Sequence, residues 1–453
     1  MANRSPNSNF SLCLPLDLGD GLTLRRATTA DAEALIAFNG EIQVDPGCVG
    51  PDMGVAAWTR DLTLGEHPTF DVSDFTLVED TRSGAIVSSL NLISQTWSYS
   101  GIEFGVGRPE LVGTHPDYRR RGLVRAQFEV IHAWSAERGQ RMQVITGIPW
   151  YYRQFGYEMA LALGGGRVGY KANVPHLKEG EAEPYRVRPA TEADLPFIAG
   201  VSECAAQRHR LACVRDAALW RYELDGRRPD SVHRTKLRLV ETAGAEPVGF
   251  LVYTTLNFLG PKLAVVRYEL KRGTSWLDVT PCVLRYVESV GEARAQRDGE
   301  EFESFIFALG TEHPVYQVAP DRLPHVRRPY AWYVRIPDLP DFVRHVGPAL
   351  ERRLAESPLA GHSGEFKISF YRDGLRLAFE MGRLVSAAPW SPARAEEGDA
   401  AFPGLTFLQV LLGYRSLDEL QYAFPDCWVG SDAARALLNA LFPKQASDVW
   451  GVV

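Results

Sequence analysis

The chain has little cysteine: six residues, Cys13, Cys48, Cys204, Cys213, Cys282 and Cys427, are spread over 453 positions with no CxxC pair. That scatter argues against a disulfide framework and against a zinc site, and it fits a reducing compartment. Ten histidines form no HExxH or H-x-H pattern, so no metal is expected. Long hydrophobic runs are missing as well. No stretch approaches the ~18 apolar residues of a membrane span. Residues 1–21 lack the sustained apolar core of a signal peptide. The expectation is a soluble, cytoplasmic protein without a membrane partner. Nor is there an excess of positive charge: the formal net charge is -7, whereas a general nucleic-acid binder is normally basic. Nucleic acid is therefore not an expected partner.

What is present is an ordinary globular balance, 45% hydrophobic and 23% charged. The length predicts about three units of roughly 150 residues. An internal echo helps to place them. RRATTAD at 25–31 and RPATEAD at 188–194 share R-x-A-T-x-A-D, and each follows a short alternating stretch and precedes an apolar helical pattern. In each copy a strand ends, Thr28 or Thr191 caps a helix, and Asp31 or Asp194 lies near the first-turn N–H groups. A duplicated domain accounts for this better than two unrelated caps. The reading gives an N-terminal extension over 1–20, a first unit over 21–180, a second over 184–327 after a polar linker, and a third over 328–453.

The first unit reads β-α-α-β-β-β-α-β-α-β, with FTLVED, AIVSSLNLISQTW and GIEFGVGRPELVGTHP as an antiparallel meander. A helix is predicted over 122–138, with Val124, Phe128, Ile131 and Ser135 on one stripe. A hairpin is predicted in the third unit, with Asp373-Gly374 at its turn.

The chemistry concentrates in LVGTHPDYRRRGLVRAQ. An apolar strand, a loop of donors, a glycine and an amphipathic helix follow one another there. Helix N-termini present unpaired N–H groups and partial positive charge, so an anion binds readily and glycine lets it come close. Adjacent arginines add charge-assisted hydrogen bonds to phosphate. Neither GxxxxGK[ST] nor GxGxxG is present. The pattern is R-x-x-G-x-[GA], here Arg119-Arg120-Arg121-Gly122-Leu123-Val124, with Val124 in the place of Gly or Ala.

This stretch resembles the phosphate-binding motif of the GNAT superfamily of acyl-CoA N-acyltransferases. R-R-R-G-L-x-R at 119–125 and Y-x-x-F-G-Y at 152–157 look like motifs of one branch, the Eis (enhanced intracellular survival) family. The resemblance implies an α+β protein: two GNAT-like domains, each a mixed and mostly antiparallel sheet flanked by helices, followed by a sterol-carrier-protein-like domain. It implies an acetyl-CoA-dependent N-acetyltransferase. Val112, Gly113 and Thr114 would pair with the pantetheine arm. The stretch Arg120, Arg121, Gly122, Leu123, Val124 and Arg125 would wrap the pyrophosphate, with Arg119 partly turned to solvent. Gly147 and Ile148 would line the thioester end, and Tyr152 would be the general acid. The base would be the chain's terminal carboxylate, on Val453, with Glu110 as the alternative; His115 reads as a loop residue near the phosphates. The second unit has ELKRGTSWLDVTP where the first has its arginine run, so only the first is expected to hold cofactor.

The acceptor is the least determined part. Trp58, Trp97 and Tyr99 with Asp45, Asp52 and Glu103 would make an aromatic and acidic pocket for a cationic amine. The resemblance implies aminoglycosides, polyamines or lysine side chains, and a homo-oligomer, with a hexamer as its form. The alternative reading is a non-catalytic acyl-CoA-binding sensor or scaffold.

Overall fold

The computed structural model describes residues 13–452 apart from 45–46, 48, 256–262 and 395–396. Asp45 and Val453 therefore lie outside the described residues.

Three sheets organise the chain, with nine, seven and five strands. The first runs in the order Leu16–Gly19, Leu22–Arg26, Phe75–Asp80, Ala85–Tyr99, Ile102–Thr114, Met142–Ile145, Tyr330–Arg335 and Glu158–Leu163. Its long central hairpin is the predicted meander, Ala85–Tyr99 against Ile102–Thr114. All neighbours are antiparallel except Ile102–Thr114 and Met142–Ile145, which are joined through the helix Leu123–Glu137. That helix buries Leu123, Gln127, Phe128, Ile131, Trp134 and Ser135 along one stripe, while Val124 is only half-buried.

The second sheet repeats the plan. Tyr185–Pro189, Thr235–Thr242, Pro247–Thr254 and Leu263–Leu270 form an antiparallel run, and Leu263–Leu270 pairs parallel with Ser304–Phe307 across the helix Trp276–Asp298. The two R-x-A-T-x-A-D junctions superpose chemically. In the first, Arg25 grips Asp31 with two hydrogen bonds of 2.8 and 2.7 Å and reaches Glu79 at 2.9 Å. In the second, Arg188 grips Asp194 at 2.8 and 2.9 Å and reaches Glu241 at 2.9 Å. Each carboxylate also accepts from the threonine N–H at 2.8 Å. Each α-helix is preceded by a short 3-10 turn, so Thr28 and Thr191 open that turn rather than the α-helix itself.

Three strands sit away from the sheet that their place in the chain suggests. Gly166–Tyr170, read as part of the first unit, pairs with Ser304–Phe307 in the second sheet. Tyr330–Arg335, read as the opening of the third unit, completes the first sheet between Met142–Ile145 and Glu158–Leu163. Leu211–Val214 pairs with the far end of Ala85–Tyr99. Local pattern marks a segment as a strand, but its partner is chosen by long-range packing.

The last sheet carries the predicted hairpin, Gly364–Ser369 on Gly374–Glu380, closed by the Ser369–Gly374 pair. Its helices and the first sheet share one core, in which Trp97, Tyr99 and Phe104 meet Phe342, Leu411 and Phe442. After the helix Asp432–Leu441 the chain runs back between the units. Asp448 bridges to Ala212, Arg215 and Arg267 both donate to the Trp450 carbonyl, and Gln95 Nε2 donates to the Val452 carbonyl at 2.8 Å.

Candidate functional site

The site begins with a fault in the central hairpin. Ser89 pairs with Gly113 and Asn91 with Glu110, so Leu111 and Val112 together face the single residue Leu90. This bulge bends the strand and takes its backbone out of the ladder; Leu111 sits at φ 52°. The bulge lies where the sheet opens. Ile102–Thr114 and Met142–Ile145 are paired only at Val106–Met142 and Gly107–Gln143. Beyond those pairs the strands splay, leaving Arg108 to Thr114 on one side and Thr146 to Ile148 on the other.

A cleft of about 730 Å³ occupies one side of the gap. Its walls bring together Val112, Gly113, Thr114, the whole run from Arg119 to Arg125, and Ile148. The helix Leu123–Glu137 starts at its floor, with Gly122 as N-cap at φ 77°. Arg120, at φ 64°, turns the backbone just before it. Left-handed residues at such a turn aim successive N–H groups inward, the arrangement that holds phosphate. The cations are present and lightly committed. Arg121 pairs with Asp20 at 3.0 Å, a carboxylate 84% exposed, and Arg125 donates to Gln154 at 2.7 Å. Arg119 and Arg120 are exposed. Leu123 is buried in the core and offers the cleft only its backbone. His115 accepts from the Asp117 N–H and is not among the cleft's walls.

Tyr152 stands at the gap. It lies in the 3-10 turn Tyr151–Phe155, is 3% exposed, and packs against Phe128 and Tyr333. Its hydroxyl is 3.7 Å from the position a Cβ would take on Gly147. Burial raises its pKa above the ordinary phenol range, and the Glu110 carboxylate adds to this, so the hydroxyl stays protonated. Glu110 accepts from Arg108 Nε at 2.6 Å.

A second cavity, about 280 Å³, lies on the other side of the gap, between the first two sheets. Gly147 and Arg108 border it from the first sheet, His233 and Arg234 from the second, and Trp450 and Gly451 from the chain's last stretch. His233 is held neutral, chiefly by burial and then by the Arg227 and Arg108 guanidinium groups. Apart from Gly147, sequence reasoning missed these residues because nothing local marks them. Among the described residues, those expected to make an aromatic and acidic pocket are not gathered in one. Trp97 and Tyr99 are wholly buried, with the Tyr99 hydroxyl donating to the Leu411 carbonyl. Trp58 packs on His233, Asp52 caps the helix Met53–Leu64, and Glu103 is exposed beside His345.

The corresponding helix start of the second sheet is closed. Ser275 caps Trp276–Asp298 through the Asp278 N–H, Asp278 places a carboxylate in the first turn, and the Trp276 ring packs on Tyr268 and His313. An anion is disfavoured there.

Among known sequence families, an acetyltransferase (GNAT) domain matches residues 54–160. None of the curated proteins matches the chain. Several solved structures share its fold over nearly the whole length. A probable N-acyltransferase, a conserved protein of unknown function from Enterococcus faecalis V583, aligns at TM-score 0.65 and 14% identity, covering 95% of this chain and 100% of that one. A GCN5-related N-acetyltransferase from Kribbella flavida aligns at 0.61 and 18%, covering 95% and 98%. Eis1 from Mycobacterium abscessus aligns at 0.57 and 15%, covering 94% and 99%. At these identities the likeness is one of fold.

Proposed function

We propose that this chain, whose residues 54–160 are a GNAT acetyltransferase domain, transfers an acetyl group from acetyl-CoA to a primary amine. The observation that carries the reading is that adjoining residues at the gap face two cavities, Ile148 the arginine-rich cleft and Gly147 the second cavity, with the Tyr152 hydroxyl beside Gly147. A donor and an acceptor could meet there from opposite faces of the sheet. The cleft residues suit acetyl-CoA: Gly122 and the first-turn N–H groups would take the pyrophosphate with Arg120, Arg121 and Arg125, while Gly113 and Thr114 would lie along the pantetheine. Gln43 Nε2 already donates to the Val112 carbonyl at 3.0 Å, which leaves the neighbouring backbone to carry that contact.

The amine attacks the thioester carbonyl, and the backbone near the Leu111–Val112 bulge supplies N–H groups to the oxyanion. Tyr152, kept protonated by burial, then gives its proton to the departing thiolate. For the base, Val453 remains the residue that the family resemblance indicates. It lies outside the described residues; its neighbour Val452 is held by Gln95 and buried against Leu219 and Tyr222. Glu110 is the alternative and is engaged by Arg108. The second sheet's closed helix start supports a single cofactor site. The region 328–453, apart from the strand Tyr330–Arg335 that joins the first sheet, is proposed as a sterol-carrier-protein-like domain, and the assembly as a homo-oligomer in the cytoplasm.

Tyr152→Phe tests the mechanism. Removing the proton donor should lower kcat by about 10²-fold or more, read as free CoA thiol, while CoA binding by calorimetry stays within about twofold. Unchanged turnover would remove Tyr152 from the chemistry. Tight CoA binding without transfer to any amine would favour a sensor.

A further inference from the structure

We infer that the acceptor is a small amine bearing an anionic group, a carboxylate or a phosphate, and not a polycation. This rests on the acetyltransferase reading and narrows its acceptor. The cavity across the gap from the cleft is walled by Arg108, Arg227, Arg234, Arg327 and Arg328, and among the described residues no Asp or Glu lines it. The chain is acidic as a whole, so this is a local concentration of positive charge.

The guanidinium groups are not all spoken for. Arg108 has Glu110, both nearly buried. Arg234 has Asp225, a carboxylate 86% exposed, and also donates to the Arg227 carbonyl. Arg234 Nε and Arg327 Nη1 are buried without a hydrogen-bond partner. Buried donors of this kind are normally satisfied, and a carboxylate or phosphate takes two of them at once. These arginines come from three separate segments, Arg108 on the first sheet and 227–234 and 327–328 beside the second, which meet only because the second sheet closes over the gap. Leu163, Val232, Tyr330, Trp332 and Trp450 supply apolar parts of the wall.

Size and chemistry agree. A cavity of about 280 Å³ is at the small end for ligand sites and suits a molecule of amino-acid or sugar-phosphate size. The same positive field disfavours a protonated amine and so favours the neutral, nucleophilic form. It would repel a polyamine for the same reason. The anionic end meets the arginines, and the amine faces Gly147 and Tyr152.

The test uses the full chain with acetyl-CoA and matched amines. Glycine and phosphoethanolamine represent the two anions, glycinamide and ethanolamine are their uncharged partners, and spermidine is the polycation. The anionic member of at least one pair should show kcat/KM about tenfold or more above its uncharged partner and above spermidine. The pair that shows it separates carboxylate from phosphate. Arg327→Gln should erase most of that preference by raising KM for the anionic amine while the uncharged partner changes little. Arg328→Gln serves if the first variant fails to bind CoA normally. Preference for spermidine or the uncharged amines overturns the inference while leaving the transferase reading intact. If no amine is acetylated, titration of N-acetylglycine and phosphoethanolamine into the CoA-bound protein still decides. Binding that weakens in Arg327→Gln upholds an anion site and sinks the transferase reading, and no binding sinks the anion site as well.

Discussion

Gly122 and Gly113 shape the cleft for different reasons. Gly122 sits at φ 77° with nothing within 4 Å of a would-be Cβ, so its requirement is conformational. Gly113 has ordinary backbone, but an added Cβ would come within 2.8 Å of Ile42 Cγ2, so its requirement is close approach. Gly122→Ala should therefore cost roughly 1 kcal/mol of stability and leave the fold intact. Any strain falls on the turn that presents the first N–H groups, so CoA affinity should drop more than Tm does; calorimetry beside a thermal melt checks this. Gly122 was legible in sequence because its neighbours are contiguous: strand, arginines, glycine, helix. Tyr152 was legible by its spacing from Gly156. The arginines of the second cavity were not, since Arg108, Arg234 and Arg327 share no motif and meet only across two sheets.

At the scale of elements, the paired strand-to-helix junctions are the clearest case of sequence dictating structure. Asp31 is held at about 2 by Arg25, with Thr28 helping against the opposing effect of burial. Asp194 is held at about 2 by Arg188 and Thr191 in the same way. Both carboxylates bind their proton less tightly in the folded chain than in the unfolded one. Their stabilisation is therefore fully present above about pH 4 and is lost as pH falls toward about 2. Asp31→Asn and Asp194→Asn should each cost about 1 kcal/mol at neutral pH and flatten the acid limb of stability in that window. Urea melts at several pH values measure both effects; an unchanged acid limb in the double variant would assign the acid response to other groups. The bulge at Leu111–Val112 was not legible. A one-residue offset between two strands leaves no mark in an alternating pattern when both faces are buried.

For the whole molecule, the joins between units matter most. Arg215 and Glu223 pair at 2.9 Å with side chains 2% and 5% exposed. Burial alone would raise the Glu223 carboxyl, but Arg215, Arg227 and Arg267 outweigh it and hold it below its ordinary range. Arg215 also donates to the Trp450 carbonyl, so this pair anchors the last stretch against the second cavity. Glu223→Gln leaves Arg215 buried without its counterion and should cost about 3–5 kcal/mol. It should also speed hydrogen exchange over 448–452 before it affects the distant hairpin at 364–380. The sequence by itself determined the parts whose physics is local: helix starts, turns, the alternating strands, the duplicated junction and the glycine turn at Gly122, each written in contiguous residues. Only the tertiary structure decided which sheet Gly166–Tyr170 and Tyr330–Arg335 join, where the last residues run, and the gathering of arginines around the second cavity. Those depend on contacts between residues hundreds of positions apart, and such contacts are fixed by shared burial and pairing, which no short stretch of chain encodes.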